Sequence, residues 1–257
     1  AHLIMLFGDM PAVAKLMHRK GHAGNQPCRF CNISSVCANG HKGIPLDQQS
    51  FHSSSSTASA QYDPLNLPLC SHNSILCEAK SVMQAESHAE AEHCAKASGI
   101  NGISIWQHFG SIIWPTSFPL DFMHLVFENV VPLLLDLWLG VSKHCVEGDT
   151  FTLLHAIWTN IAKQVAKSGN TIAGAFGQHV PHLLNKQHEF TAEAYMLWIT
   201  QLAPVVLLWQ FTNEAYYHHL VKLSHFINDC LSFSYHTGFM TMLCKCLAKW
   251  VLQYERL

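Results

Sequence analysis

Leu120-Asp121-Phe122-Met123-His124-Leu125-Val126-Phe127-Glu128-Asn129-Val130 is the stretch on which the fold turns. Read as a helix, it sets Asp121, His124 and Glu128 at i, i+3 and i+7, on one stripe at about 100° per residue. Phe122, Met123, Leu125, Val126, Phe127 and Val130 make up most of the rest. A helix that is apolar around most of its circumference is predicted to be buried. Two carboxylates and an imidazole are costly there unless they pair, and a metal ion or a hydrogen-bonding cleft is a usual solution. A plainer reading stands beside this one. Asp121 follows Pro119 near a helix start, where the dipole favours an acid. His124 then is a satisfied core histidine, and Glu128 pairs with it at i, i+4.

On the C-terminal side, apolar residues recur at helical spacing near 150–168, 191–211, 213–234 and 238–256. Thr191 and Asn213 read as N-caps, and Pro204 is expected to kink its helix. On the N-terminal side, Trp114 to Pro119 forms a rigid entry. Residues 75–98 read as one surface helix ending at Ser98-Gly99, and residues 62–68 as extended or turning. Residues 21–60 form a Cys/His-bearing loop with a Ser-rich linker at Ser53 to Ser56. The apolar run at 2–8 reads as a buried strand, after which Asp9-Met10-Pro11 opens a helix through about Lys20. The fold class is therefore mainly α with a small β remnant, divided at 1–20, 21–60, 61–115 and 116–257.

Of the 257 residues, 49% are hydrophobic and only 12% charged, which predicts a folded chain with an ample core. A formal net charge of −2 provides no basic field, so the chain by itself makes a poor DNA-binding surface. The ten cysteines come without a secretory signal and read as mostly free thiols in a reducing compartment. The chain does not open on Met, which suggests a fragment. Tyr195 to Phe211 is apolar but only about 17 residues long, the lower edge for a membrane span, and it holds Thr200, Gln201 and Pro204. A buried bundle helix accounts for it better.

Three motifs bear on chemistry. Gly8-Asp9-Met10-Pro11-Ala12 puts a carboxylate where a strand is expected to end, a place where α/β folds collect ligands; the same residues also spell a helix N-cap. Cys28-Arg29-Phe30-Cys31 has the spacing at which two thiolates share one tetrahedral zinc ion. His22, Cys37, His41 and His124 are candidates for the remaining positions. A redox role fits less well, because no thioredoxin-like βαβ unit surrounds the motif. Cys244-Lys245-Cys246 points its thiols apart on a helix, and His218-His219 and His179-Val180-Pro181-His182 read as solvated.

Taken in order, Gly8 to Ala12, then Lys20-Gly21-His22 running into Cys28 to Ile33, then Tyr62 to Pro68, then Asp121 to His124 with Glu128-Asn129, resemble the CACTA (En/Spm-type) DDE transposases, and the fungal branch in particular. Ser168-Gly169-Asn170-Thr171-Ile172, Ala175-Phe176-Gly177 and Thr191-Ala192-Glu193 extend the likeness. The resemblance implies a partial RNase H-like core, a zinc-bearing insertion and a helical C-terminal half. It implies DNA strand cleavage and transfer by two Mg²⁺ or Mn²⁺ ions, with Asp9 as the second family Asp and Glu128 as the family Glu. By the same resemblance Cys28, Cys31 and His124 hold Zn²⁺, with Cys37, His41 and Asp121 competing for the fourth position. Hard carboxylate oxygens suit magnesium, while thiolate and imidazole suit zinc.

The first family Asp has no counterpart in this sequence and is expected upstream. The chain is therefore expected to be a C-terminal fragment that does not cleave DNA alone. Transposon DNA is the implied partner of the full-length parent, and the nucleus its location. A rival from another class is a non-catalytic, zinc-stabilised helical scaffold that binds a protein partner. A third is a membrane-associated helical protein.

Overall fold

The structure, a computed structural model, describes residues 2–38, 41–48, 61–143, 145–146, 148–169, 171–174, 179–185 and 189–257. The Ser53–Ser56 tract, Asn170 and the Ala175–Gly177 segment lie outside the described residues. The protein is mainly helical, as the sequence pattern predicts, and divides into two units, Ala1–Asp121 and Phe122–Leu257.

In the first unit, α1 (Met10–Leu16) begins where Asp9 caps it and Pro11 pre-sets the helical φ. Its Val13, followed by Met17, enters a core built with Ile75, Ala79, Ile100, Ile112, Trp114 and Phe118. The expected strand at 2–8 is corrected: these residues form no strand. Leu3 and Leu6 pack against the core, while Ile4, Met5 and Phe7 are exposed. The backbone of this segment bonds to a turn instead of a neighbouring strand: Leu6 N–H donates to Ser117 O at 2.8 Å, and Ser111 Oγ donates to Leu3 O at 2.6 Å. Among the described residues the strands are β1 (Val36–Ala38) and β2 (His41–Gly43), an antiparallel hairpin inside what reads as a loop.

The predicted single helix at 75–98 is two. Ser71 and Ser74 form a reciprocal capping box that starts α2 (His72–Met83), and Ser87 caps α3 (His88–Ser98). Gly99 closes α3 in the left-handed conformation at φ 74°, as its position predicts. A Cβ there would meet Gln26 O at 2.6 Å, so the position needs glycine twice over.

The second unit opens with a wide π-helical segment, Met123–Val130, which runs into α4 (Val131–Leu139). It is followed by α5 (His155–Ser168) and α6 (Ala192–Leu197). A second π segment, Trp198–Leu202, leads into α7 (Ala203–Val206), then α8 (Glu214–Cys230) and α9 (Phe239–Tyr254). Both π segments end two residues before a proline, Pro132 and Pro204. A proline ring collides with the carbonyl four residues back in a regular helix, here Glu128 or Thr200. Widening the preceding turn to i→i+5 bonding accommodates the ring. Thr191 and Asn213 cap α6 and α8 through their side chains. Trp158, Trp198, Leu135, Leu183, Ile199, Leu207, Leu220 and Ile227 are all but fully buried in this unit's core. No helix among the described residues is long and apolar enough to cross a membrane.

Candidate functional site

Residues 30–32 run antiparallel to 68–70. Asn32 N–H donates to Pro68 O at 2.7 Å, Cys70 N–H donates to Phe30 O at 2.9 Å, and Cys31 bridges Leu69. This short pairing brings Cys28, Cys31 and Cys70 to one place. Phe30 N–H lies 3.4 Å from Cys28 Sγ, and the Cys70 thiol donates to Asn32 Oδ1 at 2.8 Å. Two of the chain's three arginines are buried beside them. Arg19 Nη2 donates to Gln26 O at 3.1 Å and to Cys28 O at 3.0 Å. Arg29 Nη2 donates to Pro119 O at 2.6 Å and its guanidinium lies 5.5 Å from the centre of the Phe30 ring, yet its Nε has no hydrogen-bond partner.

The charges follow from this geometry. The Cys31 thiol hydrogen-bonds the Cys28 sulfur, backbone N–H groups of Phe30 and Cys31 add to it, and Arg19 attracts it; together they outweigh burial and hold the Cys28 thiol down at about 6. Donation to Cys28, then burial, pushes the Cys31 thiol well above the ordinary range. Burial raises the Cys70 thiol against the pull of Arg19, and burial likewise raises the Glu78 carboxyl, which feels Arg19 and Cys70. At neutral pH the Cys28 sulfur is the cluster's thiolate, beside two guanidiniums and the Glu78 carboxyl.

Asp9 and Glu128 behave as their plainer readings describe. Asp9 Oδ1 accepts from Ala12 N–H at 2.6 Å and so caps α1. Asp121 ends the first unit, just ahead of the π segment. His124 Nε2 lies 3.6 Å from Glu128 Oε2, with 32% and 45% of the side chains exposed. Burial of this polar stripe is thereby corrected: Val126 and Phe127 are the buried residues of the segment, and Met123 is exposed. The widened turn also departs from the 100° step on which the stripe was drawn. Asn129 Nδ2 donates to His124 O.

Cys37 is exposed on β1, and His22 is exposed in a 3₁₀ turn (Gly21–Ala23). His41 begins β2, and its side chain lies outside the described residues. The described residues hold no three His, Cys, Asp or Glu side chains gathered closely enough, as they lie, to grip a metal ion. An open hollow of about 400 Å³, lined by Gly140, Cys145, Asp149, Thr152 and Leu154, contains none of the residues singled out in the sequence.

One further correction concerns histidine. His219 is not solvated: it is 4% exposed, stacks on Trp250 at 4.3 Å, and its Nε2 lies 3.0 Å from Trp250 O, while Trp250 Nε1 donates back to His219 O at 3.0 Å. Cys244 and Cys246 are exposed on α9, outside any core. Sequence reasoning missed Cys70, Arg19, Arg29 and Glu78. The available signal was compositional: arginine is rare in this chain, and of its three copies one lies inside the CxxC motif and one nine residues before it.

The chain matches no known protein family, no curated protein and no solved structure.

Proposed function

We propose that the chain is a portion of a CACTA-like DDE transposase, with a partial RNase H-like core and a zinc-bearing insertion. The observation that carries this reading is the ordered run of motifs from Gly8-Asp9 through the CxxC to Asp121-Phe122-Met123-His124 and Glu128. Asp9 and Glu128 are the carboxylates that serve a divalent ion. Their donor chemistry suits it: both are hard oxygen ligands, Glu128 is solvent-accessible, and Asp9 commits one oxygen to its cap, leaving the other to accept. Paired Mg²⁺ ions, when bound, activate the attacking hydroxyl and stabilise the leaving oxygen of a phosphodiester. The chain's own residues contribute charge and position: Asn129 braces the His124 carbonyl, and His124 holds the Glu128 carboxylate by an ion pair when protonated. No residue of this sequence replaces the family's first Asp, so the proposal describes part of a nuclease and not a working one.

The fit of zinc to Cys28 and Cys31 rests on soft sulfur donors already in hydrogen-bond contact. DNA is the partner of the whole transposase, located in the nucleus. Mn²⁺ binding, followed through the paramagnetic resonance signal of the free ion, tests the proposal. Asp9→Ala and Glu128→Ala each weaken binding on this reading; equal binding by the double variant and the wild type refutes it.

One observation favours a second reading. Asp9 is used as a cap and Glu128 in a local ion pair, which is how a non-catalytic helical scaffold would employ them. One zinc per chain, lost with Cys28→Ser, combined with no Mn²⁺ binding, selects that scaffold.

A further inference from the structure

We propose that Cys28, Cys31 and Cys70 together form a three-thiolate zinc site within the first unit, an inference that rests on the zinc reading above. The pairing of 30–32 with 68–70 carries it. That pairing fixes Cys70 one residue past the partner of Cys31, with its own backbone bonded to Phe30, in the middle of the CxxC. Cys70 stands within electrostatic reach of Cys28, Cys31 and Arg19.

Charge gives an independent reason. Arg19 and Arg29 are only 7% and 8% exposed; Arg29 bonds a backbone carbonyl, and Arg19 bonds two carbonyls and the Cys70 side chain. Buried guanidiniums call for negative charge nearby, and the Arg29 Nε still lacks an acceptor. Zinc on three thiolates carries a net single negative charge, whereas zinc on two thiolates and an imidazole is neutral. The first adds negative charge beside the arginine pair, where Glu78 already faces Arg19; the second adds none. Ligation requires the Cys70 thiol to leave Asn32 Oδ1 and turn to the two sulfurs of the CxxC. The Asn32 amide then faces the thiolate as an outer hydrogen-bonding group, the usual second layer of a metal site.

The experiment uses the full chain, loaded with zinc for metal counting and with Co²⁺ for optical spectra. Expected are one zinc per wild-type chain, loss of zinc in Cys28→Ser and Cys70→Ser, and full zinc in His124→Ala and in the control Cys244→Ser. Cys70→His, which supplies nitrogen in place of sulfur, keeps the metal but lowers the sulfur-to-cobalt charge-transfer band. That variant decides the matter if Cys70→Ser fails to fold. Zinc lost in His124→Ala and kept in Cys70→Ser, or an unchanged cobalt band in Cys70→His, overturns the proposal and leaves zinc binding by the CxxC standing. Absence of zinc from the wild type overturns both.

Discussion

Asp9 carries two roles that substitution separates. As a cap, it needs an oxygen that accepts the Ala12 N–H, now 2.6 Å away. As a metal ligand, it needs its charge. Asp9→Ala removes both, and loss of an N-cap costs about 1 kcal/mol, within a range of roughly 0.5–2. Asp9→Asn keeps an acceptor oxygen that caps about as well and gives up only the attraction to the helix dipole, a few tenths of a kcal/mol at a partly exposed site. With a urea slope of about 2 kcal/mol per molar, Asp9→Ala lowers the unfolding midpoint by roughly 0.5 M, and Asp9→Asn by about 0.1–0.2 M. Urea titrations in a chelator, so that no divalent ion adds to stability, measure both. Equal losses from Asn and Ala refute the cap, as does a midpoint unchanged in Asp9→Ala.

Burial depresses the protonation of His219, so the unfolded chain binds a proton that the folded chain refuses. Stability is thus full above the ordinary histidine range and falls as pH drops below about 6.5 towards the depressed folded value; urea midpoints at pH 7.5 and 5 should show this, and His219→Phe should flatten the dependence. In the metal-free protein the Cys28 thiolate should make this cysteine the first alkylated, with a rate rising through about pH 6; mass spectrometry after iodoacetamide treatment at several pH values reads the order, and a rate rising only near pH 9 contradicts the geometry. Gly99→Ala forces a Cβ to a left-handed backbone and against Gln26 O, and should cost at least about 1 kcal/mol in a thermal or urea melt.

What the sequence disclosed was local, and what it hid was long-range. Thr191, Asn213 and Gly99 announce helix ends because a cap bonds to residues within three or four positions of itself. Residues 2–8 misled because an apolar run does not say what its backbone will bond to; here the partner is a turn at 111–117. The Asp121–Glu128 stripe was drawn with a regular helical step, and Pro132 alters that step from two residues beyond the π segment. Cys28 and Cys31 were visible as a motif, whereas Cys70 joins them only through a pairing across 38 residues. His219 looked solvated because Trp250, the ring that buries it, lies 31 residues away.

A double-mutant cycle in Mn²⁺ affinity tests the transposase reading most directly, using Asp9→Asn, Glu128→Gln and both together. These changes remove charge and keep shape and capping. If both carboxylates serve the same ion site, each single change weakens binding and the pair is non-additive by roughly 0.5–3 kcal/mol. Strictly additive effects, or Mn²⁺ affinity indifferent to either change, contradict the account.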